Sequence, residues 1–157
     1  MTDVVYLTKD RFEELQHDVN LMKTEGRKSV ANKIAEARSY GDLSENAEYT
    51  AALEEQSLFE DRLYRLEGII NRARIIDASE LPLDKVYILS TVKVKNLKSK
   101  KLIKYVMVSP EEANIEERKL SVSSPIGKAL LGSKVGDIVH ANVPAGEISL
   151  EVLEIGH

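Results

Sequence analysis

Gly41-Asp42-Leu43-Ser44-Glu45-Asn46-Ala47-Glu48-Tyr49 is a short polar turn carrying three carboxylates between two long segments of apolar periodicity. Upstream, apolar residues recur at Phe12, Leu15, Val19 and Met22, the 3-4-3 spacing of a coiled-coil seam. The seam resumes at Val30, Ile34 and Ala37 after Gly26, a step that resembles a stutter. Downstream, Phe59, Leu63, Leu66, Ile70 and Ala73 keep strict 4-3-4-3 spacing. Thr8 is placed to cap the first helix. Two narrow stripes gain little alone, and antiparallel pairing across the turn at 40–46 buries each against the other. The pattern predicts a helical hairpin with arms of roughly 30 residues, running about 45 Å at the helical rise. The acids then stand at its far end, where they can offer oxygen ligands to another molecule.

All four prolines (Pro82, Pro110, Pro125, Pro144) lie beyond residue 81, and there the period changes. Val92 and Val94 alternate with Lys93 and Lys95, the pattern of a strand with one solvated face. Residues 102–109 read as its partner across a polar turn, and 119–123, 137–143 and 147–155 read as further strands. The last two join at Pro144-Ala145-Gly146. Between them one short helix has full punctuation: Ser124 as N-cap, Pro125 at the first helical position and Gly132 at the exit. The expectation is a two-domain chain: a coiled-coil hairpin over 1–77 with an acidic tip near 41–48, a linker at 78–83, and an α+β domain with an antiparallel sheet over 84–157.

Composition excludes several classes of function. Cysteine is absent, which removes disulfides, thiolate metal sites and cysteine nucleophiles together. The histidines His17, His140 and His157 are scattered, so a histidine-built zinc site is not expected and His140 receives no role. No run is long enough to span a membrane and no segment resembles a signal peptide, so the chain reads as cytosolic. The formal net charge is -4. Residues 1–77 carry 11 basic against 16 acidic residues and residues 78–157 carry 11 against 10, so any nucleic-acid contact is expected to be local and partner-assisted.

At these residues the chain resembles the Gre transcript-cleavage factors of bacterial RNA polymerase, GreA type. The likeness runs through Ile34-Ala35-Glu36-Ala37-Arg38, the nine residues from Gly41 to Tyr49, Ala51-Ala52 and Glu54-Glu55-Gln56. It continues through Ser121 to Leu130 (SVSSPIGKAL), Gly136-Asp137 and Val143-Pro144-Ala145-Gly146-Glu147. The resemblance implies a hairpin that enters the polymerase secondary channel and an FKBP-like C-terminal domain that docks near the channel rim. It implies an accessory factor, not itself an enzyme, that stimulates the polymerase's own cleavage of backtracked RNA at the 3′ end and rescues arrested complexes. A monomer is expected, with no cofactor of its own.

Within that resemblance, Asp42 and Glu45 are the expected catalytic residues, sharing a magnesium ion in trans only when the polymerase is bound. Magnesium takes six oxygen ligands, and two carboxylates suit a shared ion better than a closed cage. Arg38, Ser44, Asn46 and Glu48 are the surrounding candidates for RNA contact or for supporting the ion. A purely structural reading stands beside this one. Asp42 followed by Glu45 just before a helix is also a capping-box pattern, with Ser44 as another cap. For Arg38 the alternative is a surface pair with Asp42. Arg27, Lys28 and Lys33 read either as a basic track or as a solvated helix face. Tyr40 and Tyr49 flank the turn, and packing of the hairpin end is the favoured reading for both. Leu53 departs from the basic residue common in the family at this position, which implies a weaker grip on RNA.

The same resemblance places polymerase docking at Ser123, Pro125 and Ile126, although related factors often carry Asn or Asp at the position of Ser123. Three rivals are weighed: a channel-binding inhibitor of the same fold, an FKBP-type prolyl isomerase, and a scaffolding coiled coil. The isomerase needs an aromatic-lined pocket, and the C-terminal half offers only Tyr87 and Tyr105.

Overall fold

The computed structural model describes residues 4–42 and 45–157, and packing divides them into two compact units. One is the hairpin, Asp10–Arg72, and the other joins residues 4–9 to Ala73–His157. By packing, the boundaries fall at Lys9/Asp10 and Arg72/Ala73. The cause is a pairing that the sequence pattern does not announce. Strand β1 (Val5–Leu7) runs parallel to β2 (Ala73–Ile75), with Val5 opposite Ala73 and Leu7 opposite Ile75. Val5 and Leu7 are fully buried, and the Tyr6 N–H donates to Ser109 Oγ at 3.0 Å.

Helix α1 (Lys9–Leu21) begins directly after Thr8 and leads through a π-helical segment, Met22–Gly26, into α2 (Arg27–Arg38). The Arg27 N–H reaches back to Met22 C=O, a five-residue span. This wide turn falls where the seam steps by four residues, so it absorbs the phase shift that the spacing describes. Leu15, Val19, Val30 and Ala37 are buried on this arm, while Phe12, Met22 and Ile34 are half-buried. The returning arm is α3 (Ala47–Asn71), about 37 Å long at the helical rise. It buries Ala52, Leu63 and Ile69, with Phe59, Leu66 and Ile70 half-buried. Ala73, expected in this seam, lies instead in β2, because the helix ends at Asn71.

Three ion pairs tie the arms: Lys23 to Glu67 at 3.2 Å, Arg27 to Glu60 at 3.0 Å and Lys33 to Glu55 at 2.7 Å. One partner's number climbs as the other's falls, as antiparallel arms require. Arg27 binds Glu60 through both Nε and a terminal nitrogen, each at 3.0 Å. The basic-track reading of Arg27 and Lys33 therefore gives way to bracing of the hairpin.

The second unit holds a five-stranded sheet in the order β5-β4-β3-β7-β6. Its strands are β3 (Thr91–Asn96), β4 (Leu102–Val108), β5 (Lys119–Ser121), β6 (Ile138–Val143) and β7 (Gly146–Gly156). All neighbours are antiparallel except β4 and β5, which run parallel, so the sheet is mixed and not wholly antiparallel. The core gathers Val86, Val92, Val94, Met107, Leu130, Leu150 and Val152. Short helix α4 (Pro125–Leu130) contributes Leu130 and the partly buried Ile126 to it. Ser124 caps this helix by accepting from the Gly127 N–H at 3.0 Å. Its hydroxyl also donates to Ser121 C=O at 2.7 Å. A Cβ on Gly127 would lie 1.9 Å from that same carbonyl oxygen, so only glycine fits.

Candidate functional site

The hairpin tip is built from two helix ends. Helix α2 closes with Ser39 and Tyr40 donating to the last carbonyls, and Gly41 turns the chain at φ +126°. Helix α3 opens at Asn46, whose Oδ1 accepts from the Tyr49 N–H at 3.0 Å. The Asn46 Nδ2 donates to Ala37 C=O at 2.6 Å, joining the end of one arm to the start of the other. The cap is thus Asn46, and the capping-box reading of Asp42 and Glu45 fails: α3 starts two residues beyond Glu45. Asp42 and Glu45 are both exposed at the tip. Glu48 follows in the first turn of α3 and is also exposed. Ser44 lies outside the described residues.

The flanking groups are arranged by simple electrostatics. The Arg38 guanidinium sits over the Tyr49 ring, 6.0 Å from its centroid, at the edge of cation–π range. Arg38 therefore bridges the two arms just below the tip. Tyr49 is half-buried and packs the hairpin end, as the sequence reading favours. Tyr40 does not: it is 58% exposed, and its hydroxyl donates to Glu36 Oε1 at 2.8 Å. That hydrogen bond, reinforced by desolvation and the nearby charges of Glu36 and Glu48, pushes the Tyr40 phenol above its usual range. A shallow groove of about 300 Å³ runs below the tip between Tyr40, Glu48 and the Lys33–Glu55 pair. Leu53 is on the exposed side of α3. Among the described residues no three His, Cys, Asp or Glu side chains converge on one point as a closed metal site.

In the sheet unit, Ser123 and Pro125 are exposed, and Ile126 packs partly into the core. The Ser123 hydroxyl pairs with Ser121 Oγ at 2.8 Å. Ser123 and Pro125 line one wall of an open groove of about 470 Å³, faced by His140 and Asn142 on β6. The strand pattern alone assigns His140 no role. In the folded chain its Nδ1 lies 2.8 Å from Ser149 Oγ and 3.4 Å from Glu147 Oε1. The period-two pattern of β6 puts His140 on a face, but not on the face beside Ser123; that juxtaposition needs the α4–β6 packing.

Two family models match the chain: the N-terminal domain of transcription elongation factors over residues 5–75, and the GreA/GreB C-terminal domain over residues 81–157. The chain belongs to the GreA/GreB family. Among its relatives, the transcription elongation factor GreA of Chlorobium phaeobacteroides (strain BS1) is 50% identical over 157 residues, covering 99% of this chain and 98% of that protein. The GreA of Amoebophilus asiaticus (strain 5a2) is 46% identical over 155 residues, covering 99% of each. Among solved structures, the GreA factor homolog 1 protein (Gfh1) of Thermus thermophilus is 30% identical with a TM-score of 0.46, covering 99% of this chain and 100% of that one. GreA/GreB membership fits the two-part architecture described above. No described helix is long and apolar enough to cross a membrane.

Proposed function

We propose that this chain is a transcription elongation factor that acts with bacterial RNA polymerase, carrying Asp42 and Glu45 through the secondary channel to the active centre. The polymerase performs the hydrolysis, and this chain stimulates it on backtracked RNA, so that a new 3′ end forms and the arrested complex resumes. The observation that supports this most is the placement of the tip acids. The capping job belongs to Asn46, and both carboxylates face solvent at the end of a braced arm.

The donor set fits a shared magnesium ion. Asp42 and Glu45 would supply two of the six oxygens that magnesium takes, and the polymerase, the RNA phosphate and water would supply the rest. An ion held jointly in this way would lower the pKa of the attacking water and stabilise charge in the displacement. The chain's own residues do the positioning. The Lys33–Glu55 and Arg27–Glu60 pairs hold the arms in register, and Asn46 fixes the two helix ends beneath the acids. Arg38 brings a cation to the same end, where it offsets the carboxylates or meets an RNA phosphate. Glu48 is placed to support the ion from one helical turn away.

Docking at the channel rim falls to the exposed Ser123 and Pro125, with Ile126 holding them from the core side. A Ser123→Arg change should weaken polymerase affinity severalfold without altering the melting temperature; unchanged affinity removes this surface from the contact. The function itself is tested with purified, artificially arrested elongation complexes carrying labelled RNA. Adding the chain should release 3′ fragments and restore extension. Binding to the polymerase with no release would support the inhibitor of the same fold instead, and absence of binding would leave only the scaffolding reading.

A further inference from the structure

Of the two tyrosines that flank the hairpin tip, one packs and the other stands out. Tyr49 is half-buried under the Arg38 guanidinium, whereas Tyr40 is 58% exposed just past the end of α2. We propose that Tyr40 is a stacking platform for one base of the backtracked RNA, with that base seated in the groove below the tip. This deepens the functional reading above and rests on it.

A single exposed aromatic ring is ordinary, but the setting of this one is not. Its hydroxyl donates to Glu36 Oε1 at 2.8 Å, which tethers the ring and lowers the entropy lost on stacking. Tyr40 borders a groove of about 300 Å³, where Ala37, Ala51 and Ala52 are too short to fill the space. That volume stands at the lower end of the range for small-molecule sites and suits one base. Tyr40 also precedes Asp42 by two residues, at most about 7 Å of chain. A base in the groove therefore keeps its own phosphate within reach of the tip acids.

The charges of the groove select the base over the backbone. Among the described residues Glu36, Glu48 and Glu55 line it with one cation, Lys33, which is paired with Glu55 at 2.7 Å. That excess of carboxylates repels phosphate, whereas the uncharged face of a base enters freely. Carboxylates accept hydrogen bonds and do not donate them, and the Tyr40 hydroxyl proton is already given to Glu36. Adenine, guanine and cytosine present an exocyclic amino group to such acceptors, and uracil has none. The groove thus favours an amino-bearing base.

Stacking supplies what the acids lack. Two carboxylates hold an ion but repel the RNA itself, and Leu53 brings no charge to the tip end of α3. An aromatic ring grips a single strand through the face of a base and needs no cation to do so. A base held beside Asp42 keeps the 3′ segment from sliding, so the reacting phosphate stays in line with the ion.

The test uses the full chain and RNA polymerase complexes backtracked by a single nucleotide, with 2-aminopurine as the 3′-terminal base. Binding of the wild type should quench the probe, Tyr40→Phe should quench it equally, and Tyr40→Ala should not. Stimulated cleavage should fall roughly 5- to 100-fold with Tyr40→Ala, the scale of losing one stacked base. Melting temperature, and affinity for polymerase that is not backtracked, should hold. With an abasic 3′ residue the wild type should lose as much, and Tyr40→Ala should lose nothing further; a merely structural defect would cut cleavage of both RNAs alike. No quenching by the wild type, equal quenching by Tyr40→Ala, or a Tyr40→Ala loss that persists on the abasic RNA overturns the proposal. Failure of the functional reading shows separately, as wild type that quenches the probe without stimulating cleavage.

Discussion

The Asn46 amide accepts from the Tyr49 N–H and donates to the Ala37 carbonyl, so one side chain serves two helix ends. Replacing it with Ala removes a cap and a cross-arm hydrogen bond together. Asn46→Ala should cost about 1 to 2 kcal/mol in chemical denaturation followed by helical circular dichroism. Asn46→Asp keeps the acceptor for Tyr49 but sets a carboxylate oxygen against the Ala37 carbonyl, so it should rescue only part of that loss. The sequence marks this residue as a candidate for RNA contact or for supporting the ion, not as the cap. Asp42, Ser44 and Asn46 are all favourable cap types within one turn, and composition does not rank them. What decides is where the chain leaves Gly41 and which residue then meets the end of α2. For the same reason Arg38 looked like a partner for Asp42 by spacing, yet its guanidinium lies over Tyr49 across the hairpin. Contacts at i,i+4 are legible in a sequence, and contacts between arms are not.

At the scale of elements, the hairpin was legible and its details were not. Two apolar stripes on either side of a polar turn fix an antiparallel pair of helices, and the step after Gly26 marks a phase change. Only the fold shows that the change is taken up as a π-helical turn at Met22–Gly26. The cross-arm pair Arg27–Glu60 supplies a pH test. The guanidinium hydrogen bond holds the Glu60 carboxyl below its usual range. A depressed carboxylate pKa gives stability that is present above the unfolded value and is lost as the pH falls through the folded one. The wild type should therefore melt above Glu60→Gln at neutral pH, and the difference should vanish in acid below the ordinary carboxylate range. In α4, Gly127→Ala pits a helix-propensity gain of about 1 kcal/mol against a clash with the Ser121 carbonyl. The clash is with backbone and wins, for a net loss of about 2 kcal/mol, read from the denaturation midpoint.

At the scale of the whole molecule, the chain starts and ends in the same unit, and the hairpin leaves and re-enters that unit through β1 and β2. Three-residue strands paired across the full length of a hairpin leave no local pattern, so the sequence reading placed both in the hairpin domain. The strands of the larger sheet were readable from alternation and turn residues, whereas the parallel course of β5 was not, because direction is set by the crossover at 109–118. The candidate site divides in the same way. Asp42 and Glu45 could be named from residue type and position, but that both are exposed and that Asn46 caps α3 had to come from three dimensions. The most direct test is transcript cleavage in arrested complexes by Asp42→Asn against wild type, with polymerase affinity and melting temperature measured in parallel. Cleavage stimulation should fall roughly 10- to 100-fold, the scale of losing a metal-supporting carboxylate, while affinity and melting temperature hold. Undiminished cleavage by Asp42→Asn would contradict the account.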